Sequence, residues 1–141
     1  MRLVAPLLVL LVCSTLTNRP PARAQELPAL PCGDIGRAET RTTLYFGLDS
    51  KMGAISEAQW KTFLAREVTP RFPNGFTVWQ ADGQWRRADG IIVRERSKVL
   101  LLVHEDAPAV RAKLTAVIES YKHAYAQESV LWETARVCAA F

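Results

Sequence analysis

Apolar and polar side chains alternate over Thr42–Leu48, with Leu44, Phe46 and Leu48 on one side and Thr43 and Tyr45 on the other. That period of two predicts a strand. Ser56-Glu57-Ala58-Gln59 then reads as a capping box. Ile55 and Trp60 are spaced to form the hydrophobic staple around it. The helix so opened carries Phe63, Leu64 and Val68 on one face and stops before Pro70. After the turn Phe72-Pro73-Asn74-Gly75, alternation returns over Phe76–Gln80. Asp82-Gly83 and Asp89-Gly90 read as turn signals around a polar hairpin tip, and Ile91–His104 as a long third strand. Asp106 is placed to cap a second helix with Pro108 in its first turn. That helix bears the stripe Val110, Leu114, Val117, Ile118, Tyr121 and Tyr125. Ser129–Thr134 closes the pattern as a short strand.

The order β-α-β-β-α-β predicts an α+β fold. It is the ferredoxin-like sandwich, a four-stranded antiparallel sheet with two helices on one face. The first and third strands take its centre. The third strand contains Val99-Leu100-Leu101-Leu102-Val103, an unbroken apolar run that calls for cover on both sides. The parity expected here puts Leu44, Phe46, Val78, Val99, Leu101 and Val103 under the helices. Tyr45, Trp79, Leu100, Leu102 and His104 then lie on the opposite, open face. Burying Leu100 and Leu102 is worth ~3–6 kcal/mol together, so something should cover them. A second copy of the chain is the first expectation, pairing symmetrically to make a homodimer. The alternatives are the chain's own Pro-rich N-terminal segment, or a bound ligand or other protein.

Residues 1–24 read as a secretory signal: Arg2, an apolar Leu3–Val12, a polar stretch, and Ala22-Arg23-Ala24 before Gln25. The apolar run is shorter than the ~20 residues that span a bilayer. Retention as an anchor and lipidation at Cys13 are the alternatives to cleavage. The expected layout is a signal peptide over 1–24, a Pro-rich extension over 25–39 and a single α+β domain over 40–141. Of 18 basic residues, Arg2, Arg19 and Arg23 leave with the leader, so 15 stand against 14 acids. With a net charge of +1, no global field favours nucleic acid or an anionic membrane. No membrane span is expected once the leader is gone.

Export to the periplasm or medium changes what the cysteines mean. Cys32 and Cys138 most simply pair in an oxidising compartment. They close a loop of about 107 residues, for which chain entropy allows roughly 4–5 kcal/mol. Two free or separately buried thiols are the alternative. Two Cys and two His without close spacing argue against a zinc site, so no metal is expected.

The blocks Tyr45-Phe46-Gly47-Leu48, Val68–Val78, Gly83-Gln84-Trp85-Arg86, Ile92–Leu100 and Gln127–Leu131 together resemble a family of small exported bacterial proteins, known as domain of unknown function 3574. The resemblance runs from about Thr42 to Phe141. It implies a bacterial, exported origin and a domain extent. It brings no activity and no catalytic residues.

Candidate chemistry is sparse. Arg94, Arg96 and Lys98 share one face of the third strand with His104. Three such cations could hold a carboxylate or phosphate. The plainer reading is a solvated strand with cross-strand ion pairs. Tyr45 and Trp79 could stack on a flat ligand, but aromatics on an open sheet face more often form interface core. Leu100 and Leu102 complete the candidate interface. His104 could titrate near neutrality and act as a base or bind haem, yet no nucleophile with a neighbouring base is identifiable. His123 is expected to be exposed, and Trp60, Phe63 and Tyr121 to be core. Trp85, at the hairpin tip, could plug into a partner. No glycine-rich phosphate loop and no glycine–aromatic RNA-binding signature is present. No catalytic residue and no cofactor is assigned. The function expected is a non-catalytic binding or interaction module dimerising through its sheet, with an anionic or aromatic small molecule as a possible ligand. A small-molecule enzyme of monooxygenase or isomerase type on a dimeric α+β barrel is the alternative, by fold analogy. A structural, envelope-associated role is a third.

Overall fold

A computed structural model describes residues 31–86 and 88–141. The expectations for the leader, Cys13 and the extension up to residue 30 lie outside the described residues. The elements in order are β1 (Arg37–Gly47), a small hairpin of β2 (Asp49–Ser50) and β3 (Gly53–Ala54), α1 (Glu57–Phe63), β4 (Thr77–Arg86), β5 (Ile92–His104), α2 (Pro108–Tyr125) and β6 (Leu131–Ala139). The four long strands form one antiparallel sheet in the order β4-β5-β1-β6. Both helices lie on one face, which makes the fold ferredoxin-like.

Local chemistry explains where α1 begins. The Ser56 hydroxyl accepts from the Gln59 amide at 3.3 Å, and the Gln59 side chain accepts from the Ser56 amide at 2.9 Å. Ile55 and Trp60 are both buried beside the cap, as a staple requires. Beyond Phe63 the helix widens into a π-turn over Leu64–Val68, and Thr69 donates five residues back to the Leu64 carbonyl. The turn delivers Val68 fully into the core. α2 starts differently from expectation. Its N-cap is Ala107, without a side-chain cap bond, and Pro108 occupies the first turn. Asp106 does not cap: its Oδ1 accepts from Arg111 Nη2 at 2.6 Å and Nε at 3.1 Å. A charge-assisted contact with guanidinium outcompetes a neutral amide for the same carboxylate.

The strands run further than their alternation shows. β1 begins at Arg37, inside the expected extension, because Arg37 and Ala38 pair with Ala139 and Cys138 of β6. Asp82-Gly83 is not a turn. Both residues sit within β4, opposite Arg96 and Glu95. A ladder continues as long as a partner strand offers hydrogen bonds, whatever side chains it carries. Cys32 and Cys138 form a disulfide with Cα atoms 5.4 Å apart, well within the span a disulfide accepts.

The core lies between sheet and helices. Phe46 meets Trp60, Phe63 and Tyr121 at centroid distances of 5.3, 5.9 and 4.7 Å. The tilted and edge-on geometries among these rings are those aromatic quadrupoles favour. Leu114, Val117, Ile118 and Tyr121 of the α2 stripe complete it. The Tyr121 hydroxyl donates to the Gly47 carbonyl at 2.8 Å, satisfying the end of β1 from within the core.

The parity of β5 corrects the expectation. The pairs Leu44–Leu100, Thr42–Leu102 and Phe46–Lys98 stand side by side across the β1–β5 ladder. Leu44 and Phe46 face the helices, so Leu100, Leu102 and His104 do too. Leu100 is 0% and Leu102 2% exposed, in the same cluster as Leu44 and Phe46. Val99, Leu101 and Val103 therefore take the open face with Tyr45 and Trp79. The apolar run itself is silent on this point, since every one of its residues is equally suited to either side. Register against β1 decides, and a shift of one residue exchanges the two faces.

Candidate functional site

Neither helix covers the other face of the sheet. Its centre is Val99, which lies between Tyr45 on β1 and Trp79 on β4. Val99 is fully buried although no helix covers it, and Tyr45 and Trp79 are its neighbours across the ladder on either side. Leu101 and Val103 continue the stripe, half-buried. Trp79 is 42% and Leu131 61% exposed beside it. The Tyr45 hydroxyl donates to Glu133 at 3.2 Å, which fixes the ring on the sheet. Partial burial first, and that hydrogen bond second, raise the Tyr45 phenol above its ordinary pKa. Further along the same face Trp85, opposite Val93, is also exposed. The face also carries charges of both signs, among them Arg37, Glu39 and Arg41 of β1 and Glu133 of β6.

The residues expected to share that face are divided by the structure. Tyr45 and Trp79 are on it. Leu100 and Leu102 are under the helices and are not available to a partner. Arg94, Arg96 and Lys98 do share a face with His104, but it is the helix-bearing one. Lys98 is nearly buried and its Nζ meets Glu57 of α1 at 2.7 Å. Its aliphatic stem fills space beside Phe46 while the ammonium reaches the rim. That hydrogen bond is the main reason the Glu57 carboxyl is held below its ordinary pKa. Arg94 donates to Gln84 at 3.2 Å on the neighbouring strand, and Arg96 stands opposite Asp82. Lys98 and Arg94 are thus engaged by different neighbours, Glu57 and Gln84.

His104 has both ring nitrogens engaged. Its Nδ1 lies 2.7 Å from the Glu105 carbonyl oxygen, and its Nε2 2.9 Å from the Thr42 hydroxyl. A carbonyl only accepts, so Nδ1 carries the proton and Nε2 of the neutral ring accepts from Thr42. The order of hydroxyl, imidazole and carbonyl follows the wiring of an activated nucleophile. Thr42, however, is 0% exposed, and a buried hydroxyl cannot approach a substrate. An iron at Nε2 would have to displace the Thr42 bond.

His104 and Thr42 lie at the back of a groove of about 550 Å³ between the start of α2 and the adjoining β1–β6 ladder. Arg111 and Asp106 form one wall, Thr134 and Arg136 of β6 another, and Leu114 and Trp132 line its apolar part. Trp132 faces the helices, opposite Leu44 in the register. Its indole N–H is buried and meets no acceptor among the described residues. Sequence reasoning found His104 here and missed Thr42, Arg111, Trp132 and Arg136. Only the diagonal proximity of β1 and β5, and the seating of α2, bring them together. A second groove of similar size, between β4 and β5 near Asp49, carries Asp82, Arg94, Glu95 and Arg96, charges of both signs. His123 is exposed on α2. Among the described residues, no group of three or more His, Cys, Asp or Glu is placed to hold a metal, and no helix is long and apolar enough to cross a membrane.

Solved structures share this architecture at low sequence identity. A phage SAM lyase in complex with S-methyl-5'-thioadenosine superposes with a TM-score of 0.55 at 16% identity, over 72% of this chain and 83% of that one. CutA from Synechococcus elongatus, complexed with a Bis-Tris molecule, gives 0.50 at 14% identity, over 76% and 88%. These likenesses establish the fold alone. No curated protein matches the chain in sequence. The pattern of one protein family does match, over residues 41–141, nearly all of the described domain, and the chain belongs to that family, described as "Protein of unknown function (DUF3574)".

Proposed function

We propose that this protein is an exported, non-catalytic interaction module that pairs with a second copy of itself through the open face of its sheet. One observation carries the reading: the stripe of Tyr45, Trp79, Val99, Leu101, Val103 and Leu131 lies on the face that neither helix covers. Trp79 and Leu131 are exposed on that face, and Tyr45, Leu101 and Val103 are partly so around a buried Val99; exposed apolar side chains gathered on one face mark an interaction site. A second copy is the occupant this reading assigns. In a two-fold interface the same patch meets itself. A patch carrying both Arg41 and Glu133 at its flank can then set opposite charges against each other. The parity correction leaves this argument standing, since the odd-numbered half of the apolar run replaces the even-numbered half on the open side. Export rests on the leader and agrees with the Cys32–Cys138 disulfide.

Sedimentation at tens of micromolar tests the pairing. The expected result is a dimer that Trp79→Glu converts to a folded monomer. A wild-type protein that sediments as a monomer with no ligand bound overturns it. A second reading, a small-molecule enzyme, is favoured by the groove at His104; a neighbour of the same fold is a lyase bound to S-methyl-5'-thioadenosine. Native mass spectrometry of protein taken from its own compartment separates the two readings, since it records the oligomer and any retained small molecule together.

A further inference from the structure

We propose that Asn74 is a site of spontaneous covalent modification, at which the backbone nitrogen of Gly75 closes on the side-chain amide and exchanges it for a carboxylate. The sequence holds two asparagines, Asn18 and Asn74, and only Asn74 precedes a glycine. Pro73 and Asn74 are the central residues of a turn from Phe72 to Gly75, and Pro73, Asn74 and Gly75 are all exposed. The bond that closes the turn runs from the Gly75 N–H to the Phe72 carbonyl at 3.3 Å, longer than the ordinary range for such a bond. The nitrogen is therefore wet and loosely held. Gly75 has φ +128°, and a Cβ built on it would meet nothing within 4 Å. Glycine has no side chain to hinder approach to its own nitrogen.

The step balances with water as the only co-reactant. Gly75 N loses its proton to base and attacks Asn74 Cγ. The new N–Cγ bond forms, the bond from Cγ to the side-chain nitrogen breaks, and that nitrogen leaves as ammonia with a proton from solvent. Water then opens the five-membered imide at either carbonyl. One opening gives aspartate at position 74. The other gives isoaspartate, whose backbone runs through Cβ and Cγ and is one carbon longer. Rotation about the Asn74 Cα–C bond brings nitrogen and Cγ together, and a turn closed by a long bond permits it. The rings of Phe72 and Phe76 at the two ends pack against the core, so the turn keeps its anchors while it gains a negative charge. The two Asp-Gly pairs differ. Gly83 lies inside β4 opposite Glu95, and a Cβ there would meet the Glu95 carbonyl oxygen at 3.4 Å. Asp89 accepts from the Ile91 amide at 3.1 Å, and its carboxylate offers a poorer leaving group than an amide.

Storing the disulfide-bonded protein for several weeks at a series of pH values, folded and in urea, tests this. Cleavage after Arg71 and Arg86 releases the peptide whose mass and fragments locate the exchange. The folded protein should acquire the mass of an amide-to-acid exchange at Asn74, in two separable isomers, at a rate within a hundredfold of that in urea. The rate should rise about tenfold per pH unit, since the deprotonated nitrogen is the nucleophile. In Asn74→Gln, whose longer arm closes a six-membered ring less readily, exchange at this position should be at least tenfold slower. A folded rate more than a hundredfold below that in urea, a rate indifferent to pH, or equal exchange in the variant overturns the proposal.

Discussion

Shortening Leu100 and Leu101 one at a time to alanine distinguishes the two faces of β5. Leu100 is 0% exposed, with Leu44 beside it in the ladder and a place in the cluster that includes Trp60, Phe63 and Tyr121. Removing three carbons there loses the transfer free energy and leaves a cavity, for a cost of about 3 kcal/mol within the usual 2–5. In a domain of this size each kcal/mol moves the melting midpoint by roughly 4 °C. Leu100→Ala should therefore melt about 12 °C lower, whatever the protein concentration. Leu101 is half-buried, and no helix lies above it. With part of its surface already wet and no closed cavity formed, Leu101→Ala should cost about 1 kcal/mol in the monomer. Its further effect should be on association, as a concentration dependence weaker than that of wild type. Urea unfolding followed by circular dichroism at two protein concentrations reads both quantities. A Leu101→Ala penalty larger than that of Leu100→Ala at the lower concentration would mean that β5 carries the opposite parity, and the assignment of every residue on both faces would fall with it.

Further consequences concern the contacts that hold the layers together. Reducing the Cys32–Cys138 disulfide, or replacing both cysteines by alanine, frees a loop whose ends are 106 residues apart. It should lower the unfolding free energy by up to about 4–5 kcal/mol in the denatured-chain entropy model, measured by urea titration with and without reductant. Tyr121→Phe removes the bond to the Gly47 carbonyl and should cost about 1 kcal/mol while retaining the ring packing. The Glu57 carboxyl is depressed by its hydrogen bond to Lys98. A carboxyl lowered on folding stabilises the protein above its unfolded pKa, and that contribution disappears as pH falls through the lower, folded value. Glu57→Gln should thus remove this one contribution to the fall in stability below about pH 5; an unchanged acid limb in a pH series of urea titrations would show that the Lys98 contact is not maintained in solution.

Much of the fold was written locally. The capping box at Ser56–Gln59, the staple of Ile55 and Trp60, and the stripe from Val110 to Tyr125 are signals whose causes lie within a few residues, and each forms as read. The order of alternating and helical periods is enough to fix the ferredoxin-like topology. The pairing of Cys32 with Cys138 also follows from how few cysteines the domain has. Contacts between distant segments were not legible in this way. Alternation cannot be seen in Val99–Val103, where every position is apolar, so the two faces of β5 were assigned only by its register with Leu44 and Phe46. The polar arm Asp82–Arg86 forms strand because β5 is there to pair with it. Asp106 looked like a cap until Arg111 was brought within reach of it. The groove is the extreme case: Thr42, His104, Arg111 and Trp132 come from four separate elements, and no spacing along the chain relates them. Short-range periodicity and capping chemistry determine which elements exist and in what order. Which side chains share a face, a partner or a cavity depends on hydrogen-bond register and helix seating, quantities defined only once distant strands have met.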